Sequence, residues 1–195
     1  MKVLVTGHDG YIGSVMTEVL TRGGHAVTGL DSYLYETCDF GERAPAVPSI
    51  RKDIRDVVAA DLHGFDAVIH LAGLKAVGES VEKPELYHDN NVRGTEVLLA
   101  AMDEVGVRRM VFSSSCTVYG TPQRLPIDES HPLSAINPYG QTKLDIERML
   151  DMAGKIGRAR RKLGWRQGER DLPVMRVTGH EHPGRAELSV GVEDG

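Results

Sequence analysis

The sequence predicts an α/β fold in which a doubly wound parallel sheet of about six strands is covered by helices. Three observations carry that expectation. Short apolar runs alternate with longer helix-like stretches; the runs are rich in Val, Ile and Leu, as strands buried on both faces tend to be; and a glycine-rich turn joins the first run to the first helix. The chain has 195 residues, 41% hydrophobic and 26% charged, which suffices for one sizeable core and is ordinary for a globular protein.

The strands are expected at residues 3–5, 26–30, around Ile50, 67–71, 110–112 and 174–177. One helix is expected over 14–22, where Gly23-Gly24 stops it. A second over 91–105 places Val92, Leu98, Leu99, Met102 and Val105 at helical spacing, and a third runs over 138–153. Near Gly154 the character changes: Lys155, Arg158, Arg160, Arg161, Lys162, Arg166 and Arg170 fall close together, and residues 179–195 have little apolar periodicity. The expected organisation is therefore one domain over 1–178 and an irregular tail over 179–195.

Composition also excludes classes. A net charge of −5 argues against wholesale nucleic-acid binding, and no run approaches the roughly 20 apolar residues that a membrane helix needs. Cys38 and Cys116 lack C-x-x-C spacing, so neither a disulfide framework nor a thiolate metal site is indicated. The first strand starts beside Met1 and leaves no room for a signal peptide; the expected location is the cytoplasm.

Thr6-Gly7-His8-Asp9-Gly10-Tyr11-Ile12-Gly13 follows an apolar strand and opens a helix. Gly7 and Gly10 let the backbone turn tightly and approach a pyrophosphate, Gly13 lets the helix pack on the strand, and the helix N-terminus offers N–H groups to the anion. The second strand leads to Asp31, whose carboxylate can take both ribose hydroxyls of an adenosine and would repel a 2′-phosphate. The cofactor expected is therefore NAD rather than NADP. Asp53, in Arg51-Lys52-Asp53-Ile54-Arg55-Asp56, closes a third short strand where an adenine ring would lie; alone it would read as a helix N-cap.

Phe112-Ser113-Ser114-Ser115 comes straight off a strand, so at least one hydroxyl lies at the carboxyl edge of the sheet, where ligands of such sheets bind. Tyr139 and Lys143, four residues apart, share one helix face. An ammonium beside the phenol would lower its pKa from about 10 toward neutrality, and such a phenol can take a proton from a sugar hydroxyl and return it.

With these residues in place the chain resembles the extended short-chain dehydrogenases, which have a Rossmann fold. His70-Leu71-Ala72-Gly73-Leu74-Lys75-Ala76-Val77-Gly78-Glu79-Ser80 and Asp89-Asn90-Asn91-Val92 resemble the UDP-glucose 4-epimerases of the NAD-dependent epimerase/dehydratase family. The resemblance implies a catalytic triad of Ser115, Tyr139 and Lys143, the third serine being the one followed by Cys116-Thr117-Val118-Tyr119-Gly120. It implies that Tyr11 and Ile12 lie against the pyrophosphate, Asp53 and Ile54 near adenine, Leu71, Ala72, Gly73 and Lys75 along the cofactor, and Asn90 near it. Lys75, Ser115 and Tyr139 would meet the substrate, while His70 reads as a core histidine.

The implied reaction is epimerisation at C4 of a UDP-hexose through a 4-keto sugar, with NAD as transient hydride acceptor; family members are often homodimers, and the helices from Asn91 and Asn137 are candidates for that contact. Family members are longer, so the resemblance also implies that the carboxy-terminal substrate domain is largely missing and the chain truncated or rearranged after about residue 153. Met175-Arg176-Val177-Thr178-Gly179 stands where the family has R-Y-F-N. The alternatives are an NAD-binding remnant without turnover and another nucleotide-sugar epimerase or dehydratase. The basic stretch 155–170 reads as a solvated helix end rather than an RNA contact, because only Trp165 accompanies its charge.

Overall fold

The computed structural model describes residues 1–34, 47–162 and 175–176. The six strands are β1 (Lys2–Thr6), β2 (Ala26–Asp31), β3 (Ser49–Arg51), β4 (Ala67–His70), β5 (Met110–Phe112) and β6 (Met175–Arg176). All pair in parallel, in the order β3-β2-β1-β4-β5-β6. That order reverses between β1 and β4, and the two strands run side by side in register, Val3 opposite Ala67 through Thr6 opposite His70. A crevice opens beyond the carboxyl ends of strands at such a reversal.

Helix α1 (Tyr11–Arg22) covers one face of the sheet, where Val3, Val5, Val27 and Ile69 pack with Met16 and Leu20. The other face carries the larger core, in which Leu4, Leu30, Val68 and Phe112 meet Leu98 and Met102 of α4 (Gly94–Val105) and Ile146 and Leu150 of α5 (Pro138–Lys162). Each of these side chains, withdrawn from water, contributes roughly 1.5–3 kcal/mol. Gly106 ends α4 in the left-handed conformation, with φ +76°, a common helix stop.

Several expectations need correction. Strand β4 ends at His70, so Leu71 lies in the following loop, and β3 ends at Arg51, so Asp53 caps the short turn Ile54–Asp56 instead of closing a strand. Two short helices, α2 (Val77–Glu82) and α3 (Pro84–Tyr87), were not expected. The helix expected from Asn91 is regular only from Gly94, because His88–Arg93 forms a π-helical turn. Helix α1 starts at Tyr11, three residues early, and α5 continues to Lys162, well beyond residue 153. The expected tail at 179–195 and Cys38 lie outside the described residues. Among the described residues no helix is long and apolar enough to cross a membrane.

Candidate active site

The glycine turn is built by backbone crowding. Gly7 has φ +71°, and a Cβ there would stand 2.6 Å from the Ala72 nitrogen, so only glycine lets this turn lie against the loop after β4. A Cβ on Gly13 would overlap the Gly7 carbonyl, so the third glycine lets α1 seat on the end of β1.

Asp31, at the end of β2, is held by two backbone amides: Asp9 N donates to Oδ2 at 3.1 Å and Tyr33 N to Oδ1 at 2.8 Å. His8, buried behind the turn, meets Tyr33 edge to face and lies 3.3 Å from its hydroxyl through Nε2. Asp53 accepts from the amide, Nε and Nη2 of Arg55 at 2.7–2.9 Å, and these bonds hold its carboxyl below the usual range. Arg55 also donates to Asp89 at 2.6 Å, tying this wall of the cleft to the π-helical turn.

One cleft along the carboxyl edge of the sheet gathers most of the expected residues. Gly7, Gly10, Tyr11, Ile12, Gly13, Asp31, Asp53, Ile54, Leu71, Ala72, Gly73, Lys75, Asn90, Tyr139 and Lys143 all line it. Leu74, Ser113 and Ser114 line it too, and Asp9, Leu30, Tyr33 and Lys52, which the sequence reading missed, join them. Ser115, the expected third member of the triad, is not among the lining residues; it is the N-cap of the turn Cys116–Tyr119. Asn91, next to the expected Asn90, is a buried strut: it bonds Leu74 through both amide atoms and Thr142 through Nδ2 at 3.2 Å. His70 is a satisfied core residue, placed between the hydroxyls of Thr6 at 2.7 Å and Thr95 at 3.0 Å.

Helix α5 grips two of the serines with residues one turn apart. Lys143 Nζ donates to the Ser113 carbonyl at 3.0 Å, and Glu147 accepts from the Ser114 hydroxyl. Burial pushes Lys143 down to about 8. The expectation for Tyr139 is corrected: burial raises its phenol, and Ser115, not Lys143, is the group that opposes the rise. The ammonium donates to the Ser113 carbonyl and lies 4.7 Å from the Phe112 ring centroid and 5.9 Å from that of Tyr139.

This arrangement can hold an extended dinucleotide across the switch point and place a phenol, a serine and an ammonium at its inner end. The chain belongs to the NAD dependent epimerase/dehydratase family, whose model matches residues 3–159. It is similar to UDP-glucose 4-epimerase 2 of Arabidopsis thaliana, 47% identical over 157 residues, which cover 74% of this chain and 45% of that one. UDP-glucose-4-epimerase of Stenotrophomonas maltophila, solved with bound NAD and formylated UDP-arabinopyranose, matches with a TM-score of 0.77 at 38% identity, covering 90% of this chain and 52% of that one. TunA, an NAD dependent NDP-hexosamine 5,6-dehydratase, matches with a TM-score of 0.74 at 30% identity, covering 91% and 54%. The chain thus spans about half the length of the relatives it matches.

Proposed function

We propose that this chain carries the cofactor site and proton-transfer residues of an NAD-dependent epimerase acting at C4 of a UDP-hexose, interconverting UDP-glucose and UDP-galactose. The observation that carries the reading is that Tyr139 and Lys143 open onto the same cleft as the glycine turn and Asp31. The relatives named for 4-epimerisation, one of them solved with NAD and a UDP-sugar, support it.

The residues present fit NAD. The crowded glycine turn offers the α1 N-terminus to the pyrophosphate, and Asp31 is oriented by two amides toward the ribose hydroxyls. Among the residues lining the cleft, Asp53 and Ile54 would flank the adenine, Leu71, Ala72, Gly73 and Lys75 would follow the cofactor, and Asn90 would lie near it. When bound, NAD supplies the hydride acceptor and, later, its donor.

The remaining work falls to the protein's own groups. Tyr139 removes the proton of the sugar 4-hydroxyl as the C4 hydrogen leaves, and returns it after the 4-keto sugar presents its other face. Ser115 hydrogen-bonds the same sugar oxygen, Lys143 would bond the nicotinamide ribose, and Lys75 would stand beside the substrate. A cytoplasmic setting and a homodimer through α4 and α5 belong to the same reading, on the family resemblance.

Dehydration is the competing chemistry within the family, as TunA illustrates. The run Ser115-Cys116-Thr117 argues against it, since no carboxylate stands there to eliminate water. The test is conversion of UDP-galactose to UDP-glucose by the purified chain with added NAD. Turnover is expected, and Tyr139→Phe should lower it by about a hundredfold or more while leaving NAD affinity unchanged. A folded chain that binds NAD and converts no UDP-hexose would be a dinucleotide-binding remnant, and the proposal would fall.

A further inference from the structure

Arg51, at the end of β3, stands in register opposite Asp31, the acid that ends β2. At this edge of such a sheet an acid suits the free 2′-hydroxyl of NAD, whereas an arginine suits the 2′-phosphate of NADP. The chain carries both side by side, but only the acid faces the cleft: Tyr33 lines it together with Asp31, and Arg51 is not among the lining residues. The Arg51 guanidinium lies over the Tyr33 ring, 4.4 Å from its centroid, where the negative face of the aromatic attracts a cation.

Tyr33 is fixed in that place from several sides. Its φ is +56°, a conformation that a bulky residue rarely adopts, and among the described residues no other non-glycine has a positive φ. Its amide donates to Asp31 Oδ1 at 2.8 Å, and its hydroxyl lies 2.9 Å from Ser49 Oγ and 3.3 Å from His8 Nε2. His8 is buried in the glycine turn with its ring against Gly29, where a Cβ would overlap it. The strained backbone is thus offset by contacts to the glycine turn, β2 and β3, and together they aim the ring at the guanidinium.

We propose that Tyr33 is a specificity-determining residue whose ring holds the Arg51 guanidinium away from the adenosine ribose, so that NAD is taken in preference to NADP. The inference rests on the reading of the cleft as an NAD site and adds to Asp31 a second residue that enforces the choice. Asp31 repels a 2′-phosphate, and Tyr33 withholds the charge that would offset the repulsion.

Isothermal titration calorimetry of the purified chain with NAD and with NADP, at one ionic strength, reads this choice without any UDP-sugar. The wild type should bind NAD about a hundredfold more tightly or better. Tyr33→Leu removes the aromatic face and both hydroxyl contacts but keeps the amide on Asp31. NADP should then bind about tenfold more tightly, as Arg51 becomes available to the phosphate, while NAD affinity changes by less than about threefold. Adding Arg51→Met should abolish the gain, because the two changes act through one guanidinium. Tyr33→Phe, which keeps the ring, should fall between the wild type and the leucine variant. Arg51→Met alone should leave NADP affinity within about twofold of the wild type, since the guanidinium is withheld there. Should the leucine variant fail to fold, Tyr33→Asn, which suits a positive φ, takes its place.

Unchanged or weaker NADP binding in Tyr33→Leu, a gain that survives Arg51→Met, or a tenfold loss of NADP affinity in Arg51→Met alone would each overturn the proposal. A wild type that binds the two dinucleotides alike, or neither, would overturn it as well. A chain that selects NAD yet converts no UDP-hexose would fail the proposed function on that result, while the titrations still decide the role of Tyr33.

Discussion

Lys143 is a charge that folding alone would not place where it stands. It is 7% exposed, and burial pushes it from its ordinary value of 10.5 down to about 8. Its folded value lies below its unfolded one, so the folded state is penalised wherever the amine is charged in both states, below about pH 8. By linkage that penalty is of the order of 3 kcal/mol at neutral pH and fades between about pH 8 and 10.5. Lys143→Met should therefore raise the thermal midpoint at pH 7 and lose the alkaline rise in stability; under the proposed function it should also abolish UDP-hexose turnover. Calorimetry at pH 7 and 10 checks the first part. A lower midpoint at pH 7 would mean that the bond to the Ser113 carbonyl outweighs the burial cost. The arrangement keeps a buried ammonium on the wall of the cleft at the expense of stability.

At the scale of elements, the β1 turn and α1 form one unit whose fit depends on Gly13. Gly13→Ala would drive a methyl group into the Gly7 carbonyl and His8, so α1 must lift from β1. The expected cost is roughly 1–3 kcal/mol, seen as a lower thermal midpoint, together with a weakened NAD titration. Normal NAD binding in that variant would show that the turn does not depend on the tight seat. This unit was legible in the sequence because local rules build it: an apolar strand, spaced glycines, and an acid at the end of the next strand. Five of the six strands lie in or around an expected apolar run for the same reason, and β6 is shorter than its run at both ends. Helices α2 and α3 were not legible, since Val77, Val81 and Leu86 stay exposed and give no core stripe, and Pro84 divides the segment. The π-helical turn was hidden too, because the inward position of Asn91 depends on the Leu74 loop and Thr142, 17 and 51 residues away. The same limit applies to the site. Ser115, Tyr139 and Lys143 stand out as motif residues, whereas the grip of Lys143 on the Ser113 carbonyl and of Glu147 on the Ser114 hydroxyl required the tertiary approach of α5. The reversed pull on the Tyr139 phenol followed from the same approach, because burial is not written in an i, i+4 spacing.

Across the whole molecule, His70 ties the layers together at the switch point. It lies in β4, bonds Thr6 of β1 through Nδ1 and Thr95 of α4 through Nε2, and stacks on Phe112 of β5. Burial, with a smaller push from Lys143, drives its pKa from 6.5 down to about 3. Because the folded value is the lower one, the unfolded chain takes up a proton first as the pH falls. The stability that neutral His70 supplies is complete above about pH 6.5 and is lost progressively below it, at up to about 1.4 kcal/mol per pH unit, until the folded value is reached. Asp53 and Asp61, both held below the usual carboxylate range, add their own losses only at more acid pH. The window between about pH 6 and 4.5 therefore belongs to His70. Denaturant unfolding across that window should show stability falling steadily in the wild type and much less steeply in His70→Asn, although the variant starts from a lower value at pH 7 because the smaller side chain leaves a void. Equal slopes would mean that His70 takes up its proton without unfolding, and the Thr6 to Thr95 bridge would then be a tolerant contact instead of the tie between sheet and helix.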